Sequence, residues 1–117
     1  MISLEKDKIY LKHISDAIGD IERSVKGRSK KDFKENKDVK DASLRRIEII
    51  GEATKNISTE LRNKYNEIEW RKIAGTRDVV IHAYFSVDWD LIWEIIEKDL
   101  PILKNKISLI LKELKLI

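Results

Sequence analysis

The chain has 117 residues, of which 24 are Lys or Arg and 21 are Asp or Glu, so its formal net charge is only +3. This length suits one shared hydrophobic core, and we expect a single domain over residues 1–117. Cysteine is absent, which excludes disulfides and thiolate metal sites. So small a net charge does not by itself indicate a nucleic-acid partner.

The N-terminal segment, MISLEKDKIYLKH, carries charged side chains throughout and lacks the apolar stretch of a signal peptide. No apolar run elsewhere is long enough to span a bilayer. We therefore expect a soluble cytoplasmic protein without membrane association.

The apolar residues recur at spacings of three and four, which predicts amphipathic helices rather than strands. A first stripe runs over residues 9–25 and is followed by Gly27, a residue that suits the left-handed conformation at helix ends. The basic segment 26–41 comes next. It is interpreted either as a solvated loop and helix start or as a surface that contacts phosphate.

A second stripe over residues 39–57 contains Gly51, which in mid-helix costs about 1 kcal/mol relative to alanine. A packing reason is therefore expected. Gly51 and Ala53 would let another helix approach closely, and a homodimer interface is one candidate for that contact.

The C-terminal half predicts shorter helices. Ser58 or Thr59 is expected to cap one, and Ser86 or Asp88 another. Pro101 ends that second helix or begins the last one, whose stripe covers residues 100–114. The elements together predict an all-α fold, a four- to five-helix up-and-down bundle. The three tryptophans are expected in its core: Trp70, Trp89 and Trp93.

The segment GTRDVVIHAYFSVDW, residues 75–89, places Arg77, His82 and Tyr84 within eight positions. On a helix, Arg77 and His82 lie about 140° apart and do not share a face. Asp78 and His82 are neighbours on one stripe, and Arg77 and Tyr84 are neighbours on another. Two routes bring the arginine and the histidine together: a kink or helix end after His82, or a second copy of the chain.

These residue types suit the metal-free cleavage of RNA. With two histidines and no cysteine a catalytic zinc is not expected, and no glycine-rich phosphate loop is present, so we expect no metal and no cofactor. The ribose 2′-hydroxyl attacks the neighbouring phosphate in this reaction. His82 would move protons near neutral pH, and Arg77 would hold the charge on the phosphorus-centred transition state. Tyr84 would position a phosphate or stack on a base.

A structural interpretation of the same residues stands beside the catalytic one. His82 would then be a partly buried, hydrogen-bonded helix residue and Arg77 a solvated one. Asp78 would stabilise the helix dipole. The spacing leaves both interpretations open.

The run Arg77-Asp78-Val79-Val80-Ile81-His82-Ala83-Tyr84 resembles the Arg-x4-His-x-Tyr signature of the HepT-like toxins, which belong to the HEPN superfamily of helical ribonucleases. Three longer stretches are similar to the same family in the same order, and they cover nearly the whole chain. They are RRIEIIGEATKNIS (45–58), IEWRKIAGTRD (68–78) and WDLIWEIIEKDLPILKNKI (89–107).

The resemblance implies a HEPN-like helical bundle that forms a homodimer and brings two motifs together in a cleft. Arg77 and His82 would be the catalytic pair of a metal-independent endoribonuclease, with Asp78 in support. The family is also typically the toxin of a type II toxin–antitoxin system. Its MntA-type nucleotidyltransferase antitoxin would transfer AMP from ATP to Tyr84 and so neutralise it.

One alternative belongs to a different class of protein. The chain would be a non-catalytic helical dimer that binds a nucleotidyltransferase partner or nucleic acid, and the motif would be a ligand or modification site.

Overall fold

The computed structural model describes residues 4–82 and 86–114, and it describes side chains at residues 5–76 and 86–114. The regular secondary structure in these ranges is helical, which confirms the predicted all-α fold. The helices are α1 (Leu4–Val25), α2 (Lys30–Glu35), α3 (Lys37–Lys55), α4 (Thr59–Lys64), α5 (Trp70–His82), α6 (Trp89–Glu94), a π-helical segment (Ile95–Asp99) and α7 (Leu100–Glu113).

The described part of the bundle consists of four long helical elements, called rods below, and two short helices. α1, α3 and α5 are three of the rods, and the fourth is the continuous run from α6 through the π-helical segment into α7. α3 packs against both α1 and α5, while α7 packs against α1. The two short helices, α2 and α4, form the connections on either side of α3. The arrangement agrees with the predicted four- to five-helix bundle.

The apolar stripes of the rods meet in one core. Leu11, Ile14, Ile18 and Ile21 of α1 are completely buried in it. Full burial of a side chain of this size stabilises the fold by about 1.5–3 kcal/mol. Phe33 of α2 is also completely buried, so the basic segment 26–41 is anchored to the core. That segment forms α2 and the start of α3 rather than a loop, and most of its other side chains are exposed, as the solvated interpretation predicts.

Local sequence signals fix several helix ends. Gly27 has a φ of 78°, the left-handed conformation predicted for it after α1. The Ser58 hydroxyl accepts a hydrogen bond from the Leu61 N–H at 3.2 Å and caps α4. The Asp88 carboxylate accepts from the Leu91 N–H at 3.1 Å and caps α6. Of each predicted pair of caps, the structure therefore uses Ser58 and Asp88.

The fourth rod passes Pro101 without a break, although the proline predicts a boundary between two helices. The Leu100 N–H donates to the Ile95 carbonyl, five residues back, where an α-helix would use the carbonyl four back. Proline has no N–H, and in a regular helix its ring clashes with the carbonyl four residues before it. The widened turn lies directly ahead of Pro101 and relieves that conflict.

Gly51 and Ala53 are buried on α3, the rod that lies between α1 and α5. Packing among the chain's own helices accounts for these small residues. A homodimer interface at these two positions does not hold, because neither is exposed in a single chain.

We find no membrane-spanning candidate among the helices described: each is too short or too polar to cross a bilayer.

Candidate functional site

The helix that carries the motif, α5, is fixed at its start by Trp70. This side chain is buried, and its indole N–H donates to the Tyr65 carbonyl at 3.0 Å. The Ile73 N–H donates to the Glu69 carbonyl at 3.1 Å and begins the helical ladder. Trp70 is thus a core residue, as predicted, and it sets the direction in which α5 leaves the short helix α4.

The motif residues differ in what the structure describes. Arg77, Asp78 and His82 belong to the continuous backbone of α5, and their side chains lie outside the described part. Tyr84 lies outside the described residues altogether. The catalytic, supporting and AMP-acceptor roles of these four residues therefore stay predictions.

The backbone of α5 bears on how Arg77 and His82 can meet. The helix is unbroken from Trp70 to His82, so it does not kink between the two residues, and their positions are about 140° apart around its axis. α5 is described as far as His82, so a kink or helix end after His82 stays a prediction. Within the regular part of α5, the pair does not converge on one face.

The scaffold on the other side of α3 contains a buried carboxylate that the sequence pattern did not single out. Asp7 of α1 is 1% exposed and accepts two hydrogen bonds from Ser58, from its N–H at 2.9 Å and from its hydroxyl at 2.6 Å. Because Ser58 caps α4, Asp7 ties α1 to the connection that leads into α5. Acidic residues in the first turn of a helix commonly stabilise its dipole, so the position of Asp7 carries no signal that distinguishes it.

The end of the bundle where α6 begins holds a group of basic and aromatic side chains. Trp89 is half-buried and meets the Phe33 ring edge-on, with the ring centroids 6.1 Å apart. The Lys40 Nζ lies 4.7 Å from the centre of the Trp89 ring. Lys30 and Lys34 of α2 both reach the same oxygen of Asp90, at 3.4 Å and 3.0 Å.

These contacts pair the exposed Asp90 carboxylate with two ammonium groups. Its pKa is lowered, chiefly by the hydrogen bond from Lys34 and further by Lys30. Trp93 also packs against Phe33, with centroids 5.2 Å apart. Trp89 and Trp93 pack against the core from partly buried positions, so of the three tryptophans predicted in the core only Trp70 is fully within it.

His13, the second histidine, is exposed on α1 and makes an edge-on contact with the Tyr10 ring at 6.1 Å. It lines a groove between α1 and α3 with Arg45 and Ile49. Both signs of charge surround this groove, since Asp16 and Glu48 line it as well. Within the described ranges, no three His, Asp or Glu side chains are grouped so as to hold a metal ion.

Comparison with known proteins links this arrangement to a family. The profile of a family described as "Ribonuclease HepT-like" matches residues 14–110, which include all of α5. No solved structure matches the chain.

Three relatives illustrate the match. A Methanocaldococcus jannaschii protein named "Gamma-glutamylcyclotransferase and putative RNase" is 49% identical over 112 residues, 95% of this chain and 50% of the relative. A "Putative RNase" of Caldanaerobacter subterraneus is 42% identical, with 91% of this chain and 95% of the relative covered. A "Probable ribonuclease HepT" of Thermococcus cleftensis is also 42% identical, with 85% and 90% covered.

The chain thus spans about half the length of the first relative and nearly all of the other two. The profile covers most of the described fold, from the middle of α1 into α7. It also contains the three stretches and the signature that carry the resemblance. On this evidence the chain belongs to the HepT-like ribonuclease family.

Proposed function

We propose that this protein is a metal-independent endoribonuclease that acts as the toxin of a type II toxin–antitoxin pair. One observation carries the proposal: the ribonuclease family profile matches residues 14–110, across the helix that bears Arg77 and His82. Relatives that are covered over nearly their whole length bear ribonuclease names, which supports the same activity.

The proposed reaction is an internal transesterification of RNA. The ribose 2′-hydroxyl forms a bond to the adjacent phosphorus as the bond to the 5′-oxygen of the next nucleotide breaks. One proton leaves the attacking hydroxyl and one reaches the leaving oxygen. His82 is the group suited to proton transfer near neutral pH, and Arg77 is the fixed cation that stabilises the extra charge on the phosphate oxygens. Asp78, next to Arg77, would support the pair.

A homodimer is part of the proposal. The unbroken helix from Trp70 to His82 separates the two catalytic positions by about 140°, which disfavours a complete site on one copy of α5. A symmetric pair of chains would let Arg77 of one copy approach His82 of the other.

Regulation by a nucleotidyltransferase antitoxin of the MntA type completes the proposal. The Tyr84 phenol oxygen would attack the α-phosphorus of ATP, form a phosphodiester to AMP and release pyrophosphate, with the phenol proton passing to a base on the antitoxin. The attached AMP would place an anion near Arg77 and occupy the position of the substrate phosphate. Replacing Tyr84 by Phe should abolish this modification. Continued modification and silencing of Tyr84→Phe by the partner would contradict the assignment.

The test of the activity compares wild-type protein with Arg77→Ala and His82→Ala on end-labelled RNA in excess chelator. We expect wild type to cleave. Each variant should lose at least about a hundredfold in rate, since acid–base catalysis and charge stabilisation each contribute on this scale.

Circular dichroism and sedimentation must show that both variants keep the fold and assembly of wild type. Arg71→Ala, which removes an exposed arginine from the same helix, is the matched control and should cleave normally. If folded wild type cleaves neither transfer RNA nor messenger-like RNA, the non-catalytic binding module replaces the ribonuclease as the favoured function.

A further inference from the structure

Two consecutive residues at the start of α6 collect three lysines from other helices. Asp90 pairs with Lys30 and Lys34 of α2, at 3.4 Å and 3.0 Å. Trp89 holds the Lys40 ammonium of α3 over its ring, 4.7 Å from the centroid. Elements that are far apart in sequence therefore bring three ammonium groups to one place.

The charges in this group do not cancel. Lys30 and Lys34 share one carboxylate, and Lys40 faces a neutral ring, so three positive charges meet one negative charge. The side chains of Lys30, Lys34 and Asp90 are each about half exposed, so the ammonium groups keep donors available to solvent or ligand.

Of the four acidic side chains in segment 26–41, Asp41 pairs with Lys37 at 2.7 Å, and the other three lie away from the lysine group. Asp32, Glu35 and Asp38 line a separate depression together with Arg28 and Lys37. Lys30 and Lys34, four residues apart, are neighbours on the side of α2 that meets α6. The lysine face is thus separated from the acidic face of the same short helix.

The lysine group also lies close in the chain to the motif. α5 is described as far as His82, and α6 begins at Trp89. The seven-residue step from His82 to Trp89 can span at most about 25 Å. The three lysines contact Trp89 or Asp90, so they lie within that distance of His82, extended by the length of one side chain.

We propose that Lys30, Lys34 and Lys40, gathered by Trp89 and Asp90, form a docking surface for the phosphate backbone of single-stranded RNA. The inference rests on the proposed ribonuclease function for its choice of RNA. Lysines are mobile point charges that suit a phosphate chain without sequence preference. A protein partner is less well matched, because protein interfaces are depleted of lysine and centre on open apolar residues, whereas Trp89 is half-buried and covered by Lys40.

The test measures binding of fluorescein-labelled single-stranded RNA by anisotropy, in a His82→Ala background so that cleavage does not interfere. We expect Lys30→Ala/Lys34→Ala to weaken binding about fifteenfold near physiological salt, because each of the two lysine–phosphate contacts is worth roughly fourfold there. The slope of log Kd against log salt should fall in magnitude by about 1.4, since each of the two lysines removed had neutralised one phosphate and so contributed about 0.7. Asp90→Asn should tighten binding, because it removes the one negative charge of the group.

The matched control is Lys72→Ala/Lys98→Ala. These exposed lysines each pair with their own glutamate, Glu69 at 3.6 Å and Glu94 at 3.3 Å, and the double variant makes the same change in net charge. It should bind RNA within about twofold of the parent. Equal weakening by the two double variants, weaker binding by Asp90→Asn, or no measurable RNA binding by the parent would each overturn the proposal.

Cleavage by chains with an intact His82 separates this inference from the proposed activity. Lys30→Ala/Lys34→Ala should raise KM and leave kcat within about twofold, because docking lies outside the reacting atoms. Binding effects as predicted, without cleavage by wild type, would retain the surface and overturn the ribonuclease. If wild type cleaves RNA and Lys30→Ala/Lys34→Ala leaves KM unchanged, the ribonuclease is retained and the docking surface is overturned.

Discussion

Asp7 joins the first turns of α1 to the N-terminus of α4 through a single buried carboxylate. Its two hydrogen bonds come from Ser58, and the two residues are 51 positions apart in sequence. Removing the carboxylate would leave the Ser58 N–H without its partner. Such a group costs free energy beyond that of the hydrogen bond itself.

We therefore predict that Asp7→Ala lowers the free energy of unfolding by about 3 kcal/mol, measured by urea denaturation. Asp16→Ala, at an exposed aspartate of the same helix, is the control and should change stability by no more than about 0.5 kcal/mol. Equal effects of the two substitutions would show that the contact with Ser58 contributes nothing.

Ser43 presents the opposite case on α3. Its side chain is completely buried, and its hydroxyl has no hydrogen-bond partner among the described residues. A buried hydroxyl without a partner costs roughly 1–3 kcal/mol, and alanine is also the better helix former. Ser43→Ala is therefore expected to raise the free energy of unfolding by about 1 kcal/mol. A loss of stability on the same denaturation curve would mean that the hydroxyl has a partner in solution.

At the scale of single residues, the sequence predicted the features that depend on nearby residues, namely helix caps and a helix-ending glycine. The caps Ser58 and Asp88 and the left-handed Gly27 are set by neighbours within three residues. The pairing of Asp7 with Ser58 and of Lys34 with Asp90 spans 51 and 56 positions, and no periodicity reports contacts at such distances. Charge runs therefore did not indicate that α2 would present its lysines to α6.

At the scale of helices, Tyr65 connects the end of α4 to the end of α7. Its hydroxyl donates to Glu113 at 2.7 Å. Burial raises the pKa of Tyr65 to about 12, and the hydrogen bond to the Glu113 carboxylate adds to the rise. In the unfolded chain the phenol titrates near about 10. The folded state therefore favours the neutral phenol.

The sign of the resulting pH dependence follows from this raised pKa. The contribution of Tyr65 to stability is fully present below about pH 10 and is lost as the pH rises from there through about 12, because only the unfolded chain releases the proton in that range. Tyr65→Phe should be less stable than wild type below about pH 10, with the difference shrinking above it. Unfolding curves across this range, with Tyr10→Phe as control, measure the effect. A difference that grows with pH would contradict it.

The helices themselves were largely predictable, because each buries one apolar stripe with a period near 3.6 residues. The continuous passage from α6 into α7 was not, since Pro101 ordinarily marks a helix boundary. Whether a widened turn lets a helix continue through a proline depends on how the neighbouring turns are packed. Here Ile96 within the turn and Leu100 directly after it are both buried, and no local sequence signal reports that packing.

At the scale of the whole molecule, the proposed homodimer makes a prediction that one chain cannot fulfil. If Arg77 of one copy works with His82 of the other, then Arg77→Ala and His82→Ala chains should restore a complete pair when they are combined. In a statistical mixture about half of the dimers are heterodimers. Each heterodimer has one intact Arg77–His82 pair out of two, so about a quarter of wild-type activity is expected. Cleavage assays on co-expressed chains measure it. No recovery in proven heterodimers would mean that each chain carries its own complete pair.

The all-α fold and the family were predictable for the whole chain, because the helical periodicity and the signature spacing are properties of the sequence itself. The proposed meeting of Arg77 and His82 was not predictable from spacing alone, since in the proposed dimer it depends on a second copy of the chain. The lysine surface around Trp89 and Asp90 required the packing of α2 on α6 to become visible.

The central claim is that the protein cleaves RNA without a metal, through the 2′-hydroxyl. The most direct measurement compares, in excess chelator, an end-labelled RNA with the same strand bearing 2′-O-methyl groups, and determines the product ends. The account predicts cleavage of the RNA to 2′,3′-cyclic phosphate ends by wild type, none by His82→Ala, and binding of the methylated strand without cleavage. Cleavage of both strands, or of neither by folded wild type, would contradict it.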